Sequence, residues 1–211
     1  MEIFRQVFSP IEVNTYILAD KSGDCAIIDC GCYTKTEFEK LVRLIDSKKL
    51  NPVLLLNTHC HLDHVFGNRI IFEKYGLRSH FHKEEEFNRL DSPRHALLFG
   101  LTMEDVPEAE SFIVHGDLVR FGSISLKSLF VPGHTAGSIA FYSEEDRCVF
   151  TGDAVFAGSI GRTDLPGGNY ETLINSIRQN LLTLPPDTAV YPGHGPETTI
   201  DREKRTNPYL S

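Results

Sequence analysis

Six residues constrain this chain more than any others: His59-Cys60-His61-Leu62-Asp63-His64. They follow directly on Pro52–Asn57 (PVLLLN), an apolar run that reads as a buried strand. Polar side chains massed at the end of a buried strand are costly to desolvate unless something binds them. In extended backbone, residues two apart point the same way, so His59 and His61 share a face and can grip one metal ion. Asp63 and His64 come as the chain turns into a helix and are set to hold a second ion nearby. Cys60 points opposite to the two histidines and reads as a buried structural thiol.

Three other places repeat this local setting. Leu129-Phe130-Val131-Pro132-Gly133-His134, Cys148-Val149-Phe150-Thr151-Gly152-Asp153 and Ala189-Val190-Tyr191-Pro192-Gly193-His194 each close an apolar strand on a glycine followed by His or Asp. If these strand ends lie on one edge of the fold, seven donors converge: the imidazoles of His59, His61, His64, His134 and His194, and the carboxylates of Asp63 and Asp153. Such a set suits borderline divalent ions, zinc foremost, with iron and manganese compatible. His80, His82, His95 and His115 lack the glycine-framed loop and read as non-ligands. Asp29 ends another strand; it reads equally as a support behind a ligand or as a turn aspartate before Gly31.

The remaining pattern alternates between strand and helix signals. Glu2–Phe8, Val13–Ala19 and Asp24–Asp29 are short β runs. Phe38, Leu41, Val42 and Ile45 have helical spacing, with Thr34 and Glu37 placed as a capping box. A helix is expected over His64–Tyr75, closed by Gly76. Strands are expected at Ser111–His115, Leu118–Phe121, Ser123–Val131, Gly137–Ser143, Arg147–Thr151 and Asp187–Tyr191. Tyr170, Leu173, Ile174, Ile177 and Leu181 mark a helix capped by Asn169 and stopped by Pro185-Pro186. Residues 83–110 show no clear period and set three basic residues against eight acids. They read as a solvated helical excursion, with a lid over the site as the functional alternative. Two sets of strands, each accompanied by helices, give an α+β layered sandwich in one domain, 1–211.

Charge and composition remove whole classes of function. A net charge of −8, with no basic cluster beyond Arg202-Glu203-Lys204-Arg205, which an acid interrupts, argues against nucleic-acid binding. No apolar stretch approaches the ~20 residues of a membrane span, and the N-terminus lacks a leader pattern, so a cytoplasmic protein is expected. The 5 cysteines read as free thiols of a reducing compartment. There is no GxSxG elbow, so a serine nucleophile is not indicated.

Taken together, Asn14-Thr15-Tyr16, Asp29-Cys30-Gly31, the HxHxDH block, Gly133-His134, Gly152-Asp153 and Gly193-His194 resemble the metallo-β-lactamase superfamily over nearly the whole chain. Within it, they resemble the glyoxalase II-like (hydroxyacylglutathione hydrolase-like) branch. The resemblance implies a four-layer αββα sandwich with metals at one edge. His59, His61 and His134 would bind a first ion, Asp63, His64 and His194 a second, and Asp153 would bridge them. It implies hydrolysis of a thioester such as S-lactoylglutathione by a hydroxide shared between two divalent ions. Asp63 and Asp153 would be the catalytic carboxylates. Arg162 falls where glyoxalase II has a basic glutathione-contacting residue, and Asp164 where it has a tyrosine. Aspartate at 153, where the zinc β-lactamases typically carry cysteine, argues against lactam hydrolysis. At 211 residues the chain resembles the short, single-domain members without the C-terminal helical domain of glyoxalase II. The competing reading rests on Gly161-Arg162-Thr163-Asp164, a string shared with persulfide dioxygenases, which would use one iron on His59, His134 and Asp153. The expected partner is a small thioester, with neither nucleic acid nor membrane, and a monomer or homodimer.

Overall fold

Two six-stranded sheets organise the computed structural model, which describes residues 1–210. The first contains β1 (Glu2–Phe8), β2 (Val13–Ala19), β3 (Asp24–Ile28), β4 (Asn51–Leu56), β5 (Ser79–Phe81) and β6 (Ser111–Phe112), in that spatial order. From β3 to β6 the strands run parallel. The second half supplies β7 (Leu118–Phe121), β8 (Ile124–Phe130), β9 (Ile139–Ser143), β10 (Cys148–Gly152), the small hairpin β11 (Val155–Phe156) and β12 (Ser159–Ile160), β13 (Ala189–Pro192) and β14 (Thr198–Thr199). The second sheet is ordered β14-β13-β10-β9-β8-β7, with β10 and β13 parallel. Six helices accompany them: α1 (Lys35–Ser47), α2 (Leu62–Val65), α3 (Asn68–Tyr75), α4 (Glu86–Leu98), α5 (Tyr170–Asn180) and α6 (Ile200–Thr206).

The period of two within the strands builds the layers. In β2 and β3, Tyr16, Leu18, Ala26 and Ile28 face the second sheet and meet Leu126, Phe141 and Phe150. The alternate residues Ile17, Cys25 and Ile27 face away and pack on Phe38, Leu41 and Ile45 of α1 and Ile71 of α3. On the far side, Leu129, Ala140 and Val149 of the second sheet pack on Leu173, Ile174 and Ile177 of α5. Three apolar cores between four layers make the expected αββα sandwich. No helix of the described residues is long and apolar enough to cross a membrane.

Several local expectations hold and several shift. The Thr34–Glu37 capping box forms in both directions at the start of α1, and Asn169 caps α5. Gly76 ends α3 in the left-handed region at φ 71°. The helix expected over His64–Tyr75 is broken: α2 ends at Val65 and α3 starts at Asn68. The cause lies at Gly67, where a Cβ would collide with Cys30 Sγ and lie 2.9 Å from the Cys30 carbonyl. The chain turns there to let the two segments approach. The strand expected at Ser111–His115 is only β6, and α6 carried no periodic signal because it is short. Residues 83–110 open with a 3-10 turn, Lys83–Glu85, and continue into α4, which contains Pro93. The solvated reading of this segment needs correction: Glu85 and Arg89 are buried. Arg89 forks onto Glu86 and donates to the Val106 carbonyl at 2.8 Å, which ties the following irregular stretch down.

Candidate metal centre

The donors sit where strands end. β4 runs out into Asn57-Thr58-His59, β8 into His134, β10 into Asp153 and β13 into His194. The two sheets are stitched together at this edge. Asn14 donates its backbone N–H to the Gly193 carbonyl at 2.7 Å and its side-chain amide to the Pro192 carbonyl at 2.9 Å. The Tyr16 hydroxyl donates to the same Pro192 carbonyl at 2.7 Å, and the Ile139 N–H donates to the Thr58 carbonyl at 2.8 Å. Gly193 is required by space: a Cβ there would collide with Asp153 Oδ1 and lie 2.8 Å from His64 Cε1.

All seven donors expected from the sequence come together. His59, His61 and His134 form one group; Asp63, His64 and His194 form another; within each, ligand atoms lie inside 4.8 Å of one another. Asp153 lies between them, with one oxygen 3.3 Å from His64 Nε2 and the other 3.7 Å from His134 Nε2 and 3.6 Å from His194 Nε2. Asp63 approaches His194 Nε2 at 3.1 Å.

The outer partners of the rings fix their tautomers. His134 donates from Nδ1 to the Arg162 carbonyl at 2.7 Å, and His194 from Nδ1 to the Glu12 carbonyl at 3.2 Å. His64 Nδ1 lies 2.9 Å from Asp29 Oδ2. Thr58 Oγ1 donates to Asp29 at 2.6 Å and so accepts from His59 Nδ1 at 3.1 Å. Four rings therefore hold a proton outward and turn Nε2 inward. His59 Nε2 and His134 Nε2 face each other at 3.2 Å. Two lone pairs aimed at one point, with His64 Nε2 and Asp153 Oδ1 buried 3.3 Å apart and bonded to nothing else, are what a cation site requires and what a polar core avoids. The donor set fits divalent ions.

Electrostatics divide the two groups. Burial, reinforced by neighbouring imidazoles, drives His59 well below the ordinary histidine range and His61 down to about 3. Burial opposes the charge on His64 too, but Asp153, Asp63 and Asp29 outweigh it and hold that ring well above its ordinary value. His194 is raised likewise, by its bond to Asp63 against the pull of burial. Burial alone would raise the carboxyls of Asp63 and Asp153, yet His64 and His194 hold both below the ordinary range. Cys60 stays out of the cluster: it packs with Val65, Phe81 and Val106, and burial pushes its thiol up, away from the thiolate a metal would need.

Above the donors lies a cavity of about 400 Å³. Ile11, Phe99, Phe156 and Leu165 make its wall apolar, and His95 and Arg162 stand in it. The Arg162 guanidinium is more than half exposed and forks onto Asp164 at 2.8 and 2.7 Å. His95, read from sequence as a non-ligand, belongs to none of the donor groups but stands beside the site, its ring 6.3 Å from that of His61. Its only sequence signal was helical spacing to Phe99, with which it packs at 5.4 Å. A larger groove of about 820 Å³, between α1 and α3, contains none of the clustered donors. His80, His82 and His115 take no part in the donor groups.

Comparison with known proteins agrees with this geometry. The model of the metallo-beta-lactamase superfamily matches residues 9–194. The hydroxyacylglutathione hydrolase GloC of Haemophilus influenzae is 40% identical over 201 residues, covering 94% of this chain and 92% of that protein. The crystal structure of TTHA1623 in a di-iron-bound form superimposes with a TM-score of 0.89 at 36% identity, covering 98% of this chain and 100% of the other. That of BLEG-1 B3 metallo-beta-lactamase reaches 0.92 at 30% identity, covering 100% of both chains. A largely buried cluster of five imidazoles and two carboxylates at one edge of an αββα sandwich, matched along nearly the whole sequence, has one explanation: the chain belongs to the metallo-beta-lactamase superfamily.

Proposed function

We propose that this protein is a thioester hydrolase of the glyoxalase II type that works with two divalent metal ions. The observation that carries the reading is the inward aim of His59, His64, His134 and His194 Nε2 around Asp153, in a cluster of which His61, Asp63, His134, Asp153 and His194 line a cavity with an apolar wall. The likeness to the hydroxyacylglutathione hydrolase of Haemophilus influenzae supports the choice of substrate class. Bound divalent ions would supply Lewis acidity, lowering the pKa of a shared water towards 7 and polarising a carbonyl. The chain supplies the rest. Asp153 stands between the two donor groups, where its carboxylate can orient an attacking water. Asp63 adds negative charge to the second group. Ile11, Phe99 and Phe156 exclude bulk water from one side and offer a surface for the acyl group. Arg162 is our candidate for a substrate carboxylate; to bind one, it exchanges Asp164 for the ligand. Zinc is the metal we propose, with iron or manganese compatible with the same donors. The five cysteines are all free and buried, and on that ground we propose a cytoplasmic location.

Metal content measured alongside S-lactoylglutathione turnover tests the reading. We expect about two ions per chain and hydrolysis. Asp153→Ala should lose both together. One iron per chain with oxygen uptake would instead establish the persulfide dioxygenase reading. Lactam turnover without thioester turnover would replace the substrate class.

A further inference from the structure

Glu85 is fully buried, and nothing in the proposed chemistry uses it. It ends the 3-10 turn that leads into α4. One carboxyl oxygen accepts the backbone N–H of Cys60 at 2.8 Å; the other accepts the backbone N–H of Gly137 at 2.8 Å. Cys60 stands between His59 and His61, and Gly137 lies in the loop that begins at His134. A single side chain therefore ties together the two loops that carry the group His59, His61 and His134. Asn88 Nδ2 donates to the same carboxyl at 2.9 Å and steadies it. The Ser92 hydroxyl, two turns along α4, is shared between the Asn88 carbonyl at 2.7 Å and the Cys60 carbonyl at 3.0 Å. The start of α4 thus holds both the N–H and the C=O of the residue between two candidate ligands. Glu85 makes no hydrogen bond to Asp63, His64 or His194.

We propose that Glu85 is a positioning residue: it sets the spacing of the His59/His61 loop from the His134 loop and thereby the affinity of that trio for its ion. It does not set the affinity of Asp63, His64 and His194. A carboxyl group accepts on both oxygens, whereas an amide presents NH2 on one side. Glu85→Gln therefore keeps the size of the side chain but turns a donor against one of the two backbone N–H groups.

The inference rests on the metal-binding reading of the site, and its test separates the two. Zinc is titrated against a chromophoric chelator in the full-length chain, in two backgrounds. His194→Ala leaves the His59/His61/His134 trio as the reporter; His61→Ala leaves the other. In the first background, Glu85→Gln should weaken zinc binding about tenfold, the scale of a lost outer support. In the second, the change should stay under about twofold, as for independent sites. Cobalt(II) in place of zinc should show altered visible bands in the first background alone. Equal weakening in both backgrounds would reduce Glu85 to general scaffolding and overturn the proposal, as would no change in either. If the chain with Glu85 intact takes up no zinc in either background, the metal reading fails and the proposal with it. Should Glu85→Gln not fold, Asn88→Ala decides: it removes one bond to the carboxyl and should weaken the same trio about threefold. Unchanged affinity in Asn88→Ala would then overturn the proposal.

Discussion

Two buried acids back the donor cluster, and they reach it by different routes. Asp29, just past the end of β3, touches a candidate ligand directly through His64 Nδ1, and through the Thr58 hydroxyl it steadies His59. Glu85, at the mouth of α4, touches none of the seven donors: it grips the backbone N–H groups of their loops and is steadied by the Asn88 amide. The first orients a ring; the second sets the distance between loops. A polar centre of this kind needs both, because a correctly turned imidazole is useless if its loop stands an ångström too far away.

Asp29→Asn should have the largest effect. Loss of the carboxylate behind His64 is expected to weaken the ion held by Asp63, His64 and His194 about 10–100-fold. The metal-free protein should lose about 2–3 kcal/mol, because Asp29 also accepts from the Thr58 N–H and hydroxyl. Chelator competition and urea unfolding measure the two. The ion at His59, His61 and His134 should be disturbed less, through Thr58 alone. A reversed order would break the division of labour between the two acids.

Acidity should separate the groups next. Metal competes with protons for the same lone pairs. His64 and His194 are raised and so hold a second proton to higher pH than an ordinary imidazole in the metal-free protein, whereas His59 and His61 are held low and give theirs up more readily. Lowering the pH from 8 to 6 should therefore weaken the second group more, by about tenfold per pH unit for each proton displaced. Calorimetric zinc titrations in buffers of different ionisation enthalpy count those protons. Equal pH slopes for the two ions would contradict the contrast in electrostatics.

The smallest effect is a control. Thr34→Ala removes the cap of α1, which packs beneath the first sheet, and should cost about 1 kcal/mol in urea unfolding. Both zinc affinities should stay as they were. A change in either would mean that the braces at the edge feel the whole sandwich and not only their own loops.

The contrast between Asp29 and Glu85 also marks what a sequence discloses. The clustered donors were legible because one local grammar, apolar strand then glycine then His or Asp, occurs at His134, Asp153 and His194 beside the HxHxDH block. Asp29 shared part of that grammar and was open to either reading. Glu85 carried no such mark. It lies among Glu84, Glu86 and other acids in a segment without period, and its burial depends on contacts with Cys60 and Gly137, 25 and 52 residues away. His95 was hidden for the same reason: its place at the cavity depends on how α4 docks, not on its neighbours in sequence. The layers were legible from two sets of strands, each accompanied by helices. The break at Gly67 was not, because it answers to Cys30 across the fold.

The stitch between Asn14 and Pro192 spans 178 residues of chain. During synthesis this makes the two donor groups unequal in time. His59, His61 and His134 are all made well before His194, the last donor in the sequence, leaves the ribosome. A nascent chain can thus gather its first trio early, while the second waits for His194 and for the slow closure of a loop this long.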